Sequence, residues 1–212
     1  PSTARALAQV PNLMIWDDHE IRDDWGSRPS DKAGSAHQAL IIGRLARQVY
    51  REYQRQLWDD IDPDAEPTDG SEQHHHVFGS IGVIFVDQRG GRSFSTSVSR
   101  PYLGEEQWRQ LNEDLLSAGG AFEEVTALIV VTSVPLVYLG PNVTMVAVHA
   151  KDDLADHWSF GPNAKEQLEF IRLLRRWKQT RPDRRELLVI GGDVHVGGQT
   201  EIRHRDELIF KQ

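Results

Sequence analysis

Near the C-terminus the apolar run Leu187-Leu188-Val189-Ile190 passes directly into Gly191-Gly192-Asp193-Val194-His195. Near the N-terminus Leu13-Met14-Ile15 passes into Trp16-Asp17-Asp18-His19-Glu20. A short apolar run closed by turn-prone Gly or Asp reads as a buried strand. Both junctions therefore put hard oxygen and imidazole donors where a strand gives way to a loop. In open α/β sheets that carboxyl edge is where ligands bind. Aspartate combined with histidine suits a divalent or trivalent metal better than a packed core. Taken singly, either cluster also reads as ordinary turn residues, because Asp side chains bond nearby backbone groups at strand ends.

The stretch between the two junctions supplies the rest of an α/β pattern. Residues 11–16 read as the first strand and residues 21–34 as a polar loop. Ser35 followed by Gln38 is a capping box, and the helix it opens runs to Trp58. Its stripe of Ile42, Leu45, Val49, Tyr53 and Leu57 has helical spacing and predicts the core-facing side. Residues 59–73 carry seven carboxylates, no basic residue, two prolines and a glycine. They read as an acidic surface loop, since the fixed alternation of a calcium loop is missing. A strand follows at Val77 to Asp87. His74, His75 and His76 precede it and cannot all face one metal from an extended strand, because neighbours point to opposite faces. A helix at 105–118 presents Trp108, Leu111 and Leu115. The β-branched run from Val125 to Thr132 suits a strand covered on both sides. Val143 to Val148 is a further short strand. Asn163 with Glu166 opens a helix carrying Leu168, Ile171, Leu174 and Trp177, and Arg181-Pro182-Asp183 closes it. A hairpin over 199–210 completes the chain.

The fold class expected is therefore α/β, with mixed β-sheet layers flanked by helices and all 212 residues in a single domain. Hydrophobic content of 39% and charged content of 26% fit a soluble globular protein. The net charge of −8 disfavours broad nucleic-acid binding, which needs a basic face. No apolar stretch reaches the ~18 residues that span a bilayer. The absence of cysteine excludes disulfides and thiolate chemistry and leaves the redox compartment unreadable.

The motifs also resemble a known family. WDDHE followed by Asp23-Asp24-Trp25, with the late GDVH, is similar to the PhoD-like phosphatases and phosphodiesterases, members of the calcineurin-like metallophosphoesterases. Secondary matches fall in the family's order: Phe85-Val86-Asp87-Gln88-Arg89, Leu103-Gly104-Glu105-Glu106-Gln107-Trp108, Val131-Thr132-Ser133-Val134-Pro135 and Asp156-His157-Trp158. The family has an earlier strand ending in Gly-Asp, and no such element precedes Trp16. The expectation is thus a metallophosphoesterase-like fold incomplete at its N-terminus, with self-association through the uncovered sheet and poor catalysis by this chain alone.

The resemblance implies roles residue by residue. Asp18 falls on a metal-ligand position, and Asp193 and His195 fall on a second ligand pair, with Val194 pointing away. His19 contacts the phosphate and protonates the leaving oxygen. Asp17 and Glu20 are carboxylates that orient His19 or a ligand. Arg89 is either a phosphate clamp or an ion-paired arginine after a strand. Trp158 either stacks on the substrate or anchors a loop. His149 and His157 carry no assignment. The implied cofactors are two metal ions, iron with calcium or two divalent ions such as manganese or zinc, acting on a small phosphate ester. Two metals would neutralise the phosphoryl oxygens and acidify a water. A non-catalytic module that keeps the fold and part of the metal site is the alternative from another class. Localisation is not readable from the sequence.

Overall fold

The structure, a computed structural model, describes residues 2–28, 31, 36–62, 70–93, 102–140, 142–143, 155–161 and 163–212. Four helices are seen among them: α1 Ser2–Leu7, α2 Ala36–Tyr53, α3 Glu105–Leu116 and α4 Ala164–Gln179. Six strands form one mixed sheet: β1 His74–Phe78, β2 Ile81–Val86, β3 Ala127–Thr132, β4 Glu186–Gly191, β5 Glu201–His204 and β6 Glu207–Lys211. Their order is β1-β2-β3-β4-β6-β5. The architecture is α/β. Residues 63–69 of the acidic segment, the strand expected at Val143 to Val148 beyond its first residue, Ser35 and His149 lie outside the described residues.

The parallel register of the central strands positions the site. Val86 pairs with Thr132, and Thr132 with Gly191. The residues that follow, Asp87, Ser133 and Gly192, therefore emerge together at one sheet edge. One face of the sheet is sealed. Ile84, Val86, Leu128, Val130, Leu187 and Val189 pack beneath Trp108, Leu111 and Leu115 of α3 and Phe170, Leu174 and Trp177 of α4. Truncating one such leucine to alanine costs about 2–5 kcal/mol. Trp158 belongs to this core, fully buried with its ring stacked on Phe170 and edge-on to Tyr102. Of its two sequence readings, the structure gives the anchor.

Several elements differ from the sequence expectation. Residues 11–17 form no strand. The Met14 carbonyl is taken by side chains, accepting from the Tyr50 hydroxyl at 3.0 Å and from His74 Nε2 at 2.9 Å, where a ladder N–H would otherwise bond. The strand expected at Val77 to Asp87 is instead a hairpin that starts at His74, with Val77 and Phe78 closing its first arm and Ile81–Val86 forming its second. Phe78 pairs with Ile81 across the two-residue turn Gly79-Ser80, and Gly79 has φ +62°. Asn163 stands at the N-cap of α4 but its side chain makes no capping bond; its amide donates to the His157 carbonyl at 3.0 Å.

The stripe on α2 is exposed, not buried. Leu45 is 61% and Tyr53 71% accessible. The helix docks by Ala39, Gly43, Arg47 and Tyr50. A Cβ on Gly43 would lie 2.6 Å from the Trp25 ring, so only glycine permits that approach. Arg47 reaches the fully buried Glu72, which Arg51 and Arg55 also contact. Spacing reveals a helix but not which side it docks, and here a buried carboxylate draws in the arginine side.

Candidate metal centre

Asp87 anchors the edge where the central strands end. It is fully buried, yet every acceptor position is used. Oδ1 accepts from Trp16 Nε1 at 2.8 Å and from the Arg89 and Gly90 amides at 2.8 and 2.9 Å, and Oδ2 accepts from the Glu72 amide at 2.6 Å. Its own backbone is capped by Gln107, whose side-chain amide accepts from Asp87 N at 2.8 Å and donates to Asp87 O at 2.7 Å. The Gln107 amide so continues the ladder where no strand remains. Gln88 accepts from Ser133 Oγ and the Val134 amide and donates to the Tyr102 hydroxyl, which in turn donates to the Asp156 carbonyl. Four of the short sequence motifs are thereby joined into one hydrogen-bonded floor.

Above this floor lie two layers of charge. The lower is built on Arg89, whose side chain is wholly buried. It donates to Asp17 Oδ1 from Nε at 2.7 Å and from Nη2 at 2.5 Å, and contacts Asp156 Oδ2 at 2.7 Å. Arg92 reaches Asp156 Oδ1 at 2.5 Å and lies over the Tyr102 ring. Burial alone would raise the Asp156 carboxyl, but Arg89 and Arg92 prevail and hold it at about 2. Of the two readings of Arg89, the structure displays the ion-paired one.

The upper layer lines a cleft of about 240 Å³ with Asp18, Asp23, Asp24, Asp156 and Asp193 and with His19 and His195. Asp18 begins a short 3-10 turn, Asp18–Glu20, whose entry is held by the Asp17 amide donating to Glu20 Oε2 at 2.7 Å. Asp18 Oδ2 accepts from the Asp24 amide at 2.6 Å. Asp18 Oδ1 is buried and accepts no hydrogen bond; its nearest cation is Arg89 Nη2 at 3.6 Å. Burial and the Asp17 charge push the Asp18 carboxyl up, against Arg89. Asp193, on an exposed rim, is pushed up to about 6 by partial desolvation in the cleft and by the charges of Asp17 and Asp18.

Oxygens of Asp17, Asp18 and Asp193 all lie within 4.8 Å of one another, as do donor atoms of Asp18, His19 and Asp23. Three carboxylates at that spacing, one with an orphaned buried oxygen, could hold a hard cation. The residues fit a metal ion.

The structure thus brings Asp18 and Asp193 together and adds Asp17, which the sequence reading had made a supporting carboxylate. His195 lines the same cleft but belongs to neither donor grouping. His19 is exposed, with Nε2 at 3.5 Å from Asp23 Oδ1. Glu20 braces Asp17 and accepts from Gln54 at 3.3 Å, and does not contact His19. The alternation expected at Asp193-Val194-His195 fails. β4 ends at Gly191, Asp193 and His195 take φ +64° and +54°, and Val194 lines the cleft. Non-glycine residues at positive φ are strained and concentrate at functional sites. The Asp-x-Trp motif does not announce Asp156 as the charge partner of Arg89 and Arg92, and His157 beside it is buried and stacked on Tyr138 at 5.5 Å.

The profile of the family described as PhoD-like phosphatase matches residues 1–208 of this chain. The uncharacterized protein YGR266W of Saccharomyces cerevisiae is 22% identical over 267 aligned positions, which cover 98% of this chain and 36% of that protein. The chain spans about a third of the length of this curated relative. No solved structure matches the chain significantly.

Proposed function

Because the chain belongs to the PhoD-like phosphatase family, which supports phosphoester hydrolysis in general, we propose that it hydrolyses phosphate monoesters or diesters through a centre of two metal ions held by Asp18, Asp193 and His195. The observation that carries this reading is Asp18 Oδ1, a buried carboxylate oxygen without a hydrogen bond among converging carboxylates. Asp17 joins the set, and the two donor groupings share Asp18, which supports two ions over one. When bound, the ions supply Lewis-acid neutralisation of phosphoryl charge and lower the pKa of a nucleophilic water. Their pairing, iron–calcium or manganese–zinc, follows the family resemblance.

The chain's own residues do the rest. Asp17 and Asp156 hold Arg89 under the cleft, where its charge offsets the excess of carboxylates and draws a phosphate inward. His19, exposed at the mouth with Nε2 at 3.5 Å from Asp23 Oδ1, gives a proton to the leaving-group oxygen. An apolar groove of about 660 Å³ lined by Leu188, Ile190, Val194 and Val196 adjoins the cleft, with Val194 lining both. It receives the organic part of a small phosphate ester. The 212 residues work as a single domain.

The test is elemental analysis and hydrolysis of bis(p-nitrophenyl) phosphate and p-nitrophenyl phosphate by the metal-loaded chain. Asp193→Asn and His195→Ala should lose bound metal and turnover while keeping their circular dichroism. Unchanged metal content in both folded variants overturns the ligand assignment.

A further inference from the structure

β1 sends His74 and His76 to one side and His75 to the other, where His75 Nδ1 meets Asp114 Oδ2 at 3.0 Å. On the first side His74 is fixed. Its Nε2 lies 2.9 Å from the Met14 carbonyl. A carbonyl can only accept, so Nε2 carries the proton and Nδ1 presents a lone pair. The ring is held between Phe85 and Trp58, at centroid distances of 4.5 and 3.9 Å. That Nδ1 faces His76 Nε2 at 2.9 Å. Both rings border a cleft of about 450 Å³ that Asp59 and Gln73 also line. Gln73 Oε1 is buried there without a hydrogen-bond partner.

We propose that His74 and His76 form a second, imidazole-based binding site for a transition-metal ion of the Zn²⁺, Ni²⁺ or Cu²⁺ class, separate from the carboxylate centre. Two nitrogens bound to one ion at about 2.0–2.1 Å stand about 2.9 Å apart for a right-angle bite and about 3.3 Å for a tetrahedral one. The observed spacing meets the first, and a small turn of the half-buried His76 ring reaches the second. The ion takes the place of the shared hydrogen. The proton on His76 Nε2 leaves to solvent, Nδ1 takes one up, and the ring stays neutral. The Met14 carbonyl orients His74 as an outer hydrogen-bond partner orients a ligating imidazole. Asp59 and Gln73 line the open side of the cleft, where water completes the coordination, and Arg55 is bonded to Asp59 at 3.0 Å. Nitrogen donors select a softer ion than the carboxylates of the other centre do.

The experiment titrates chelator-stripped chain with Ni²⁺ and follows tryptophan fluorescence, because Trp58 lies against His74 and a paramagnetic ion there quenches it. One equivalent should quench the unmodified chain and the Asp18→Asn/Asp193→Asn double variant alike. In His76→Gln the apparent Kd should rise at least tenfold, with unchanged circular dichroism. Absence of quenching in the unmodified chain, or equal quenching in folded His76→Gln, overturns the proposal. Should His76→Gln fail to fold, the electron paramagnetic resonance of one equivalent of Cu²⁺ on the double variant decides. Splitting from two imidazole nitrogens supports the site, and splitting from one or none overturns it.

Discussion

Asp87 and Asp18 are both buried aspartates close behind an apolar run, and they differ in what their oxygens meet. Asp87 accepts four N–H groups and is saturated; Asp18 keeps one oxygen bonded to nothing. The same contrast separates the two layers of the site. Below, Arg89, Arg92, Asp156 and Asp17 neutralise one another at short range. Above, Asp18 and Asp193 gather negative charge that the protein leaves partly uncompensated. Burial therefore does not mark a functional carboxylate. An acceptor left unsatisfied among like charges does, because folding alone would not retain that arrangement.

The sharpest way to break this contrast is Asp156→Asn. It leaves Arg89 and Arg92 buried with less counter-charge, and losing one partner of a buried pair costs about 3–5 kcal/mol. Urea unfolding in chelator at pH 7 should show that loss. The pH course follows from the depressed carboxyl. Asp156 titrates at about 2 when folded and at 3.8 as a free group, so its stabilisation is complete above pH 4 and disappears as pH falls through 2. The variant should lack that acid limb. A loss below 1 kcal/mol would mean the lower layer is not what holds the site.

His19→Ala probes the upper layer at its mouth. Turnover of the metal-loaded chain should fall ~10²-fold or more, the usual scale of general acid–base catalysis, with metal content kept. The fall should be smaller for a good leaving group such as p-nitrophenolate than for an alkoxide. Because donor atoms of His19, Asp18 and Asp23 also converge, loss of metal in this variant would move His19 from proton donor to ligand.

The smallest effect sharpens the comparison most. Asp193 binds its proton up to about pH 6 in the folded chain and only to 3.8 as a free group. Between those values the metal-free fold holds more protons than the unfolded chain, so this residue's contribution to stability falls as pH rises from 4 to 6. Asp193→Asn should therefore make the metal-free chain slightly more stable above pH 6, by about 0.5 kcal/mol given its exposure. Added metal should reverse the order of the two proteins. Thermal melts with and without chelator measure both.

The central strands and the two helices over them were legible from the sequence. Val125 to Thr132 and 187–192 lie within one or two residues of β3 and β4, and the helix expected at 105–118 ends at Leu116. There, alternate apolar residues of the strands and one stripe of each helix do reach the core, although Leu168, Leu188 and Ile190 stay exposed. Legibility failed where polar groups did the packing. Residues 11–17 are held by Tyr50 and His74 and not by a ladder, and α2 docks through Arg47 toward Glu72 while its leucines face out. Gly79-Ser80 is a recognised two-residue turn pair, and the single strand expected at Val77 to Asp87 runs across it. In the site, donor residues were readable by type at the ends of apolar runs. The Asp17–Arg89–Asp156 ion set was not, because nothing local to any of the three records that they meet.

That ion set also dictates an order of events. Arg89 lies 72 positions after Asp17, and Asp156 a further 67 positions on. Made from its N-terminus, the chain holds Asp17 and Arg89 long before their third member exists, and β6, which closes beside β4, comes last of all. Contacts of such separation form late, since the entropy of closing large loops must be met before they repay it. The scaffold helices and the β1–β2 hairpin rest on near neighbours and need no such wait. A chain stopped short of residue 156 during synthesis would hold Asp17 against Arg89 but lack the second carboxylate, so the charge balance under the cleft is completed only by the last third of the molecule.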